Sequence, residues 1–174
     1  MKIVVAVQRV AHAQRAVPDD TTIFTTGGTR RAVIAAGRLT LVTDRVIVVG
    51  AAVLRDGRVL ACRRIGPPDL AGWWEFPGGK VEAGETDGQA LVRELAEELQ
   101  VRAVVGERLG PDVPIGGTAV LRVHLVTIEG DPQFVDHDAH RWLSADELEA
   151  VEWLPVDLPL VALLPDLLRP EPAG

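Results

Sequence analysis

Three carboxylates, Glu94, Glu97 and Glu98, stand at positions i, i+3 and i+4. On an α-helix that spacing puts them on one face. Like charges stacked this way repel by ~0.2–0.5 kcal/mol per pair. Alone, they would read as a solvated acidic face. They are not alone. Immediately upstream runs Pro77-Gly78-Gly79-Lys80-Val81-Glu82-Ala83-Gly84-Glu85, whose three glycines let backbone approach a ligand closely. Carboxylates beside free carbonyls make a hard-oxygen environment suited to Mg²⁺ or Mn²⁺. A cation there would offset the repulsion and gather the phosphates of an anionic substrate. The chain needs such help, because its net charge is -7. The same acidity argues against a nucleic-acid polymer as partner.

The elements that must position these residues follow from pattern. Val46–Leu54 is a continuous apolar run rich in β-branched residues, expected as a buried strand, and Arg55-Asp56-Gly57 as a turn into a return strand over 58–64. Residues 65–72 hold Pro67-Pro68 and read as loop; Trp73–Phe76 reads as a short strand, broken by Pro77-Gly78-Gly79. Thr86 with Gln89 forms a capping box that opens a helix ending near Gln100, with Ala90, Leu91, Leu95 and Leu99 on its apolar side. Strands are expected at 101–109, 118–129 and 139–143. Ser144 with Glu147 opens a short helix, and 158–168 reads as one final helix with Asp157 as its N-cap. The order β-β-β-α-β-β-β-α-α gives a mixed α/β (α+β) sandwich.

Residues 1–44 show no sustained periodicity and are expected to be an irregular N-terminal extension to a domain spanning 45–170. Two readings stay open for it: an appended segment, or a start assigned too far upstream, with initiation near Val42. The N-terminus shows no signal-peptide pattern, and the longest apolar run near the start of the domain is too short to span a bilayer. Cys62, the one cysteine, lies in an apolar stretch and reads as a buried structural thiol. A lone cysteine points to the cytoplasm.

The stretch Gly79-x5-Glu85-x7-Arg93-Glu94-Leu95-Ala96-Glu97-Glu98-Leu99-Gln100-Val101 resembles the Nudix signature. One position departs from it, Gln100 replacing the signature's glycine at the helix end, at a local cost of up to ~1 kcal/mol. The resemblance implies the Nudix fold, an α/β/α sandwich around a mixed sheet. It also implies that Glu94, Glu97, Glu98 and the Gly78 carbonyl bind Mg²⁺ or Mn²⁺, and that Glu94 helps activate water. Glu85 would pair with Arg93 and lock loop to helix, while Gly79 would permit a tight turn.

From Arg45 to Leu168 the chain is similar to MutT-like nucleoside triphosphate pyrophosphohydrolases, in which water attacks the β-phosphorus. The similarity implies a phosphate contact at Arg64, with a solvated strand end as the bland alternative. It implies that Lys80 lies near substrate and that Asp136, six residues before Trp142, is a further metal ligand. Phe76, or one of Trp73 and Trp74, could stack on a base. Asp157 stands where such enzymes read the base. As an ionised carboxylate it would only accept hydrogen bonds, from cytosine or from the guanine edge; capping the last helix is the alternative. The expected activity is 8-oxo-dGTP hydrolysis, with dCTP or CTP hydrolysis as the close alternative. A binding-only Nudix domain is disfavoured because every signature carboxylate is present. The expected partner is a small nucleotide, acted on by a monomer, with no membrane.

Overall fold

A computed structural model describes residues 22–26, 30–35, 38–43, 45–134 and 137–169. The chain divides into two units between Arg45 and Val46. In the first, β1 (Thr22–Thr26), β2 (Arg30–Ala35) and β3 (Arg38–Thr43) pair antiparallel in that order. The expectation of irregular structure therefore fails over these strands. Their Thr, Val, Ile and Leu content is β-favouring, but each run is too short to show a sustained period.

The second unit is built on β4 (Val46–Arg55) and β5 (Arg58–Arg64). Asp56 and Gly57 both take positive φ, 49° and 68°. That is the two-residue hairpin turn that matches strand twist. Next come β6 (Trp74–Glu75), β7 (Gly78–Lys80), α1 (Asp87–Leu99), β8 (Arg102–Arg108), β9 (Val113–Ile115), β10 (Ala119–Glu129) and β11 (His137–Leu143). A 3-10 helix (Ala145–Ala150) and two one-turn helices, α2 (Leu158–Val161) and α3 (Pro165–Leu168), close the fold. The sheet runs β11-β5-β4-β10-β8, with β6 on β5, β7 on β4 and β9 on β10. Only β4 and β10 pair in parallel among its described pairings, so the sheet is mixed.

Period-2 alternation gives the sheet two buried faces. Val49, Ala51, Val53, Leu60 and Cys62 join Leu91, Leu95 and Leu99 of α1 in one core. Ala52, Val59 and Ala61 face the other way, into a core with Leu148, Trp153, Leu160 and Leu164. Helices thus cover both faces, as an α/β/α sandwich requires. Cys62 is fully buried and its thiol is pushed well above the usual range by burial, then by the charges of Glu98 and Glu75. It is structural, as expected.

Three expectations are corrected. Residues 158–168 form two short helices, because Pro165 lacks the N–H a continuous helix needs. The Gly78–Gly79 break is itself strand β7, paired to β4. Strand β9 was not expected and pairs with β10. The α1 capping box forms as read: Gln89 N–H donates to Thr86 Oγ1 at 3.2 Å, and Thr86 N–H to Gln89 Oε1 at 2.9 Å. At the other end Gln100 adopts left-handed φ 56°. Gln100→Gly should therefore stabilise the protein by up to ~1 kcal/mol. Urea unfolding would check this, and an unchanged midpoint would mean that the glutamine bears no strain.

Candidate active site

Helix α1 carries the signature's charged residues past the edge of β7. Arg93 is the organising cation. Its Nε and Nη2 donate to the two Glu85 oxygens at 2.8 and 2.9 Å. Its Nη1 donates to Glu94 Oε1 at 2.9 Å, and Nη2 also reaches the Lys80 carbonyl at 3.0 Å. This fork–fork geometry is the strong form of an ion pair. Hydrogen bonding from Arg93, then from the Glu82 N–H, holds Glu85 down to about 2, so it stays ionised across physiological pH. The expected loop-to-helix lock is present in the structure.

The two adjacent glycines serve different ends. Gly78 sits at φ 148°, and a Cβ there would overlap the Val49 carbonyl oxygen of β4. Gly79 has no unusual φ; a Cβ there would strike the Glu94 carboxylate. The implied tight turn is therefore corrected: Gly79 provides room for Glu94 against the strand. Glu98 accepts from Gly78 N–H at 3.2 Å. Burial, with the charges of Glu94 and Glu75, pushes Glu98 up to about 7, against the pull of His137 and the Gly78 N–H. Glu97 is 62% exposed, 3.6 Å from Arg93.

A cavity of about 620 Å³ opens beside these groups. Glu98, Gly78, Gly79 and Lys80 line one part; Leu154, Pro155, Val156 and Asp157 line another; Arg64, Glu75 and His137 are also in its wall. Backbone pairing brings these segments together. Trp74 N–H donates to the Glu152 carbonyl at 2.9 Å, and Leu154 N–H to the Trp74 carbonyl at 2.7 Å, stitching the 152–157 segment to β6. Arg64 is fixed by its Nη1 on Glu75 Oε2 and its Nε on the Gly66 carbonyl at 3.2 Å. It is not a free strand end.

Asp157 is 3% exposed, and its Oδ2 has no hydrogen-bond partner among the described residues. Burial, then the charge of Glu75, pushes its carboxyl well above the usual range, with Arg64 opposing. That shift favours the protonated carboxyl over the ionised, acceptor-only form; protonated, it offers an O–H donor beside a carbonyl acceptor. Nor does its side chain cap α2. Phe76 is 4% exposed, its ring packed on Trp153 at 5.2 Å between centroids. It belongs to the core and lines the cavity, rather than offering a free stacking face. Trp73 and Trp74 do not line this cavity. Asp136 lies outside the described residues.

Glu75 and His137 were missed. A lone charge between Trp74 and Phe76, just before a glycine loop, was the available signal for Glu75. Along β11, His137 enters the cavity wall, Asp138 pairs with Arg63 at 2.8 Å, and His140 stacks on Phe134.

The donor set fits a hard divalent cation in kind, since carboxylates and the Gly78 carbonyl are oxygen ligands. The side chains are not gathered as ligands, however. Glu94 is held by Arg93 and Glu98 by Gly78 N–H, and among the described residues no three His, Cys, Asp or Glu side chains are grouped to hold a metal.

The NUDIX domain model matches residues 44–168. A Mycobacterium tuberculosis protein named "Putative 8-oxo-dGTP diphosphatase 2" is 47% identical over 127 residues, covering 71% of this chain and 88% of its own length. The Escherichia coli CTP pyrophosphohydrolase is 38% identical over 129 residues, covering 72% and 96%. The solution structure of the E. coli ORF135 protein superposes with a TM-score of 0.61 at 38% identity, covering 71% of this chain and 91% of that one. The chain belongs to the Nudix hydrolase family and is MutT-like. Among the described residues, no helix is long and apolar enough to cross a membrane.

Proposed function

We propose that the chain hydrolyses a (deoxy)nucleoside triphosphate to its monophosphate and pyrophosphate. The first substrate is 8-oxo-dGTP, for nucleotide-pool sanitation; dCTP or CTP is the second reading. One observation carries this: a single cavity is bounded both by the signature loop with Glu98 and by the buried Asp157. Phosphates meet the Glu98, Gly78 and Lys80 part, with Arg64 nearby, and the base meets Asp157. Water attacks the β-phosphorus, the bond to the oxygen bridging the α- and β-phosphorus breaks, and the monophosphate leaves. Glu94 is the candidate to accept the water's proton, held in place by Arg93. Mg²⁺ or Mn²⁺ bound by Glu94, Glu97, Glu98 and the Gly78 carbonyl, with Asp136 as a further candidate ligand, would supply charge neutralisation and Lewis acidity. We place this activity in the Nudix domain, residues 45–170, acting as a cytoplasmic monomer.

A protonated Asp157, the form its burial favours, matches an edge with a donor beside an acceptor. Cytosine presents N4–H₂ next to N3, and 8-oxoguanine N1–H next to O6. The 47% relative supports the guanine reading and the 38% relative the cytosine reading. Relative kcat/KM for 8-oxo-dGTP, dCTP and CTP decides between them; a preference for ADP-ribose would overturn both.

Asparagine keeps the neutral donor–acceptor pair, so Asp157→Asn should retain the base preference, whereas Asp157→Leu should lose it. The linkage has a definite sign. The folded-state pKa is raised, so the contribution to stability is intact below the unfolded value of ~3.9 and is lost as pH rises toward the folded one. Asp157→Asn should thus gain stability over the parent at pH 7, with the gain vanishing near pH 4. Equal differences at both pH values in urea unfolding would contradict a raised Asp157 carboxyl.

A further inference from the structure

The Arg64–Glu75 pair has a third member. His137 lies opposite Arg64 across the β5–β11 pairing. Its side chain is 4% exposed, and Nε2 stands 3.6 Å from Glu75 Oε1, the oxygen not taken by Arg64 Nη1. Its Nδ1 is buried with no hydrogen-bond partner among the described residues. Leaving a polar ring atom buried and unpaired is costly. We propose that His137 is a positioning residue for nucleotide binding: it holds the Glu75 carboxylate, and through it the Arg64 guanidinium, in the arrangement that receives the substrate.

Glu75 stands in the cavity wall, its charge felt by both Glu98 and Asp157. Unrestrained, its second oxygen would face an incoming polyphosphate with like charge. It would also let Arg64 swing, because Glu75 and the Gly66 carbonyl are the contacts that fix that guanidinium. A 3.6 Å separation is too long for a hydrogen bond. Contacts that position a substrate often tighten when it binds. Displacing water from the cavity also strengthens the pair.

The inference rests on the nucleotide-hydrolase reading, and one experiment separates the two. Steady-state kinetics of the full chain on its best triphosphate compare His137→Ala, His137→Gln, Glu75→Gln and the double variant His137→Ala/Glu75→Gln, with melting temperatures alongside. His137→Ala should raise KM about tenfold, as loss of one charge-assisted contact would, with kcat nearly unchanged when assayed well above pH 7, where Glu98 is ionised without help from His137. His137→Gln, which keeps an N–H donor, should recover most of the loss. In the Glu75→Gln background His137→Ala should add almost nothing, the mark of residues acting as a unit. Multiplying effects, or a fall in kcat at constant KM, would overturn the inference, with His137→Gln deciding if the alanine variant fails to fold. A parent chain silent on every triphosphate would instead overturn the functional reading.

Discussion

Glu98→Gln is expected to lower kcat about a thousandfold, the scale of several kcal/mol of lost charge stabilisation, while the melting temperature holds or rises. Glu98 accepts from Gly78 N–H through Oε2, and a glutamine oxygen can accept the same bond. The loop therefore keeps its anchor. What disappears is a negative charge in a half-buried position already crowded by Glu94 and Glu75. The fold should tolerate or welcome that loss; the chemistry should not, since a neutral amide is a poor ligand for a hard cation. Kinetics at saturating Mg²⁺ and a thermal melt test both halves. Activity within tenfold of the parent would remove Glu98 from the ligand set, and an unfolded variant would make its role structural.

The neighbouring glycines should fail in opposite ways. Gly78→Ala should destabilise the fold by ~3–4 kcal/mol, combining positive-φ strain with overpacking. The Cβ meets the carbonyl of Val49, backbone of a central strand that cannot retreat. Gly79→Ala should leave the melting temperature within a few degrees yet reduce kcat at least ~100-fold. The atoms nearest its Cβ are those at the end of the Glu94 side chain, which can swing away from Arg93 and out of place. Urea unfolding and kcat measured on both variants check the contrast. If Gly79→Ala kept full activity, the packed position of Glu94 would not be its working position.

The legible parts of this molecule were those written in local period. Thr86 and Gln89 announce the start of α1, and Leu91, Leu95 and Leu99 announce its buried side. The apolar run from Val46 and the Asp56-Gly57 turn announce a hairpin. The carboxylates and Arg93 were legible because their partners lie within a few turns or one loop. What escaped depends on pairing between distant segments. Strand β7 is a strand only because β4 accepts its backbone, and nothing in Gly78-Gly79-Lys80 favours extension. Glu75 and His137 are 62 residues apart and meet through separate pairings to β5. The burial of Asp157 escaped for the same reason: Leu154 to Asp157 looks like a loop and cap, and only its stitching to β6 buries it.

The most direct test of the account is release of pyrophosphate by the purified chain, with Mg²⁺ and with a chelator, from 8-oxo-dGTP, CTP and the four common deoxynucleoside triphosphates. The account predicts one pyrophosphate per nucleoside monophosphate, dependence on the metal, and a clear preference for 8-oxo-dGTP or a cytidine nucleotide. Release of single orthophosphates, turnover unaffected by chelation, or silence on all six substrates would contradict it.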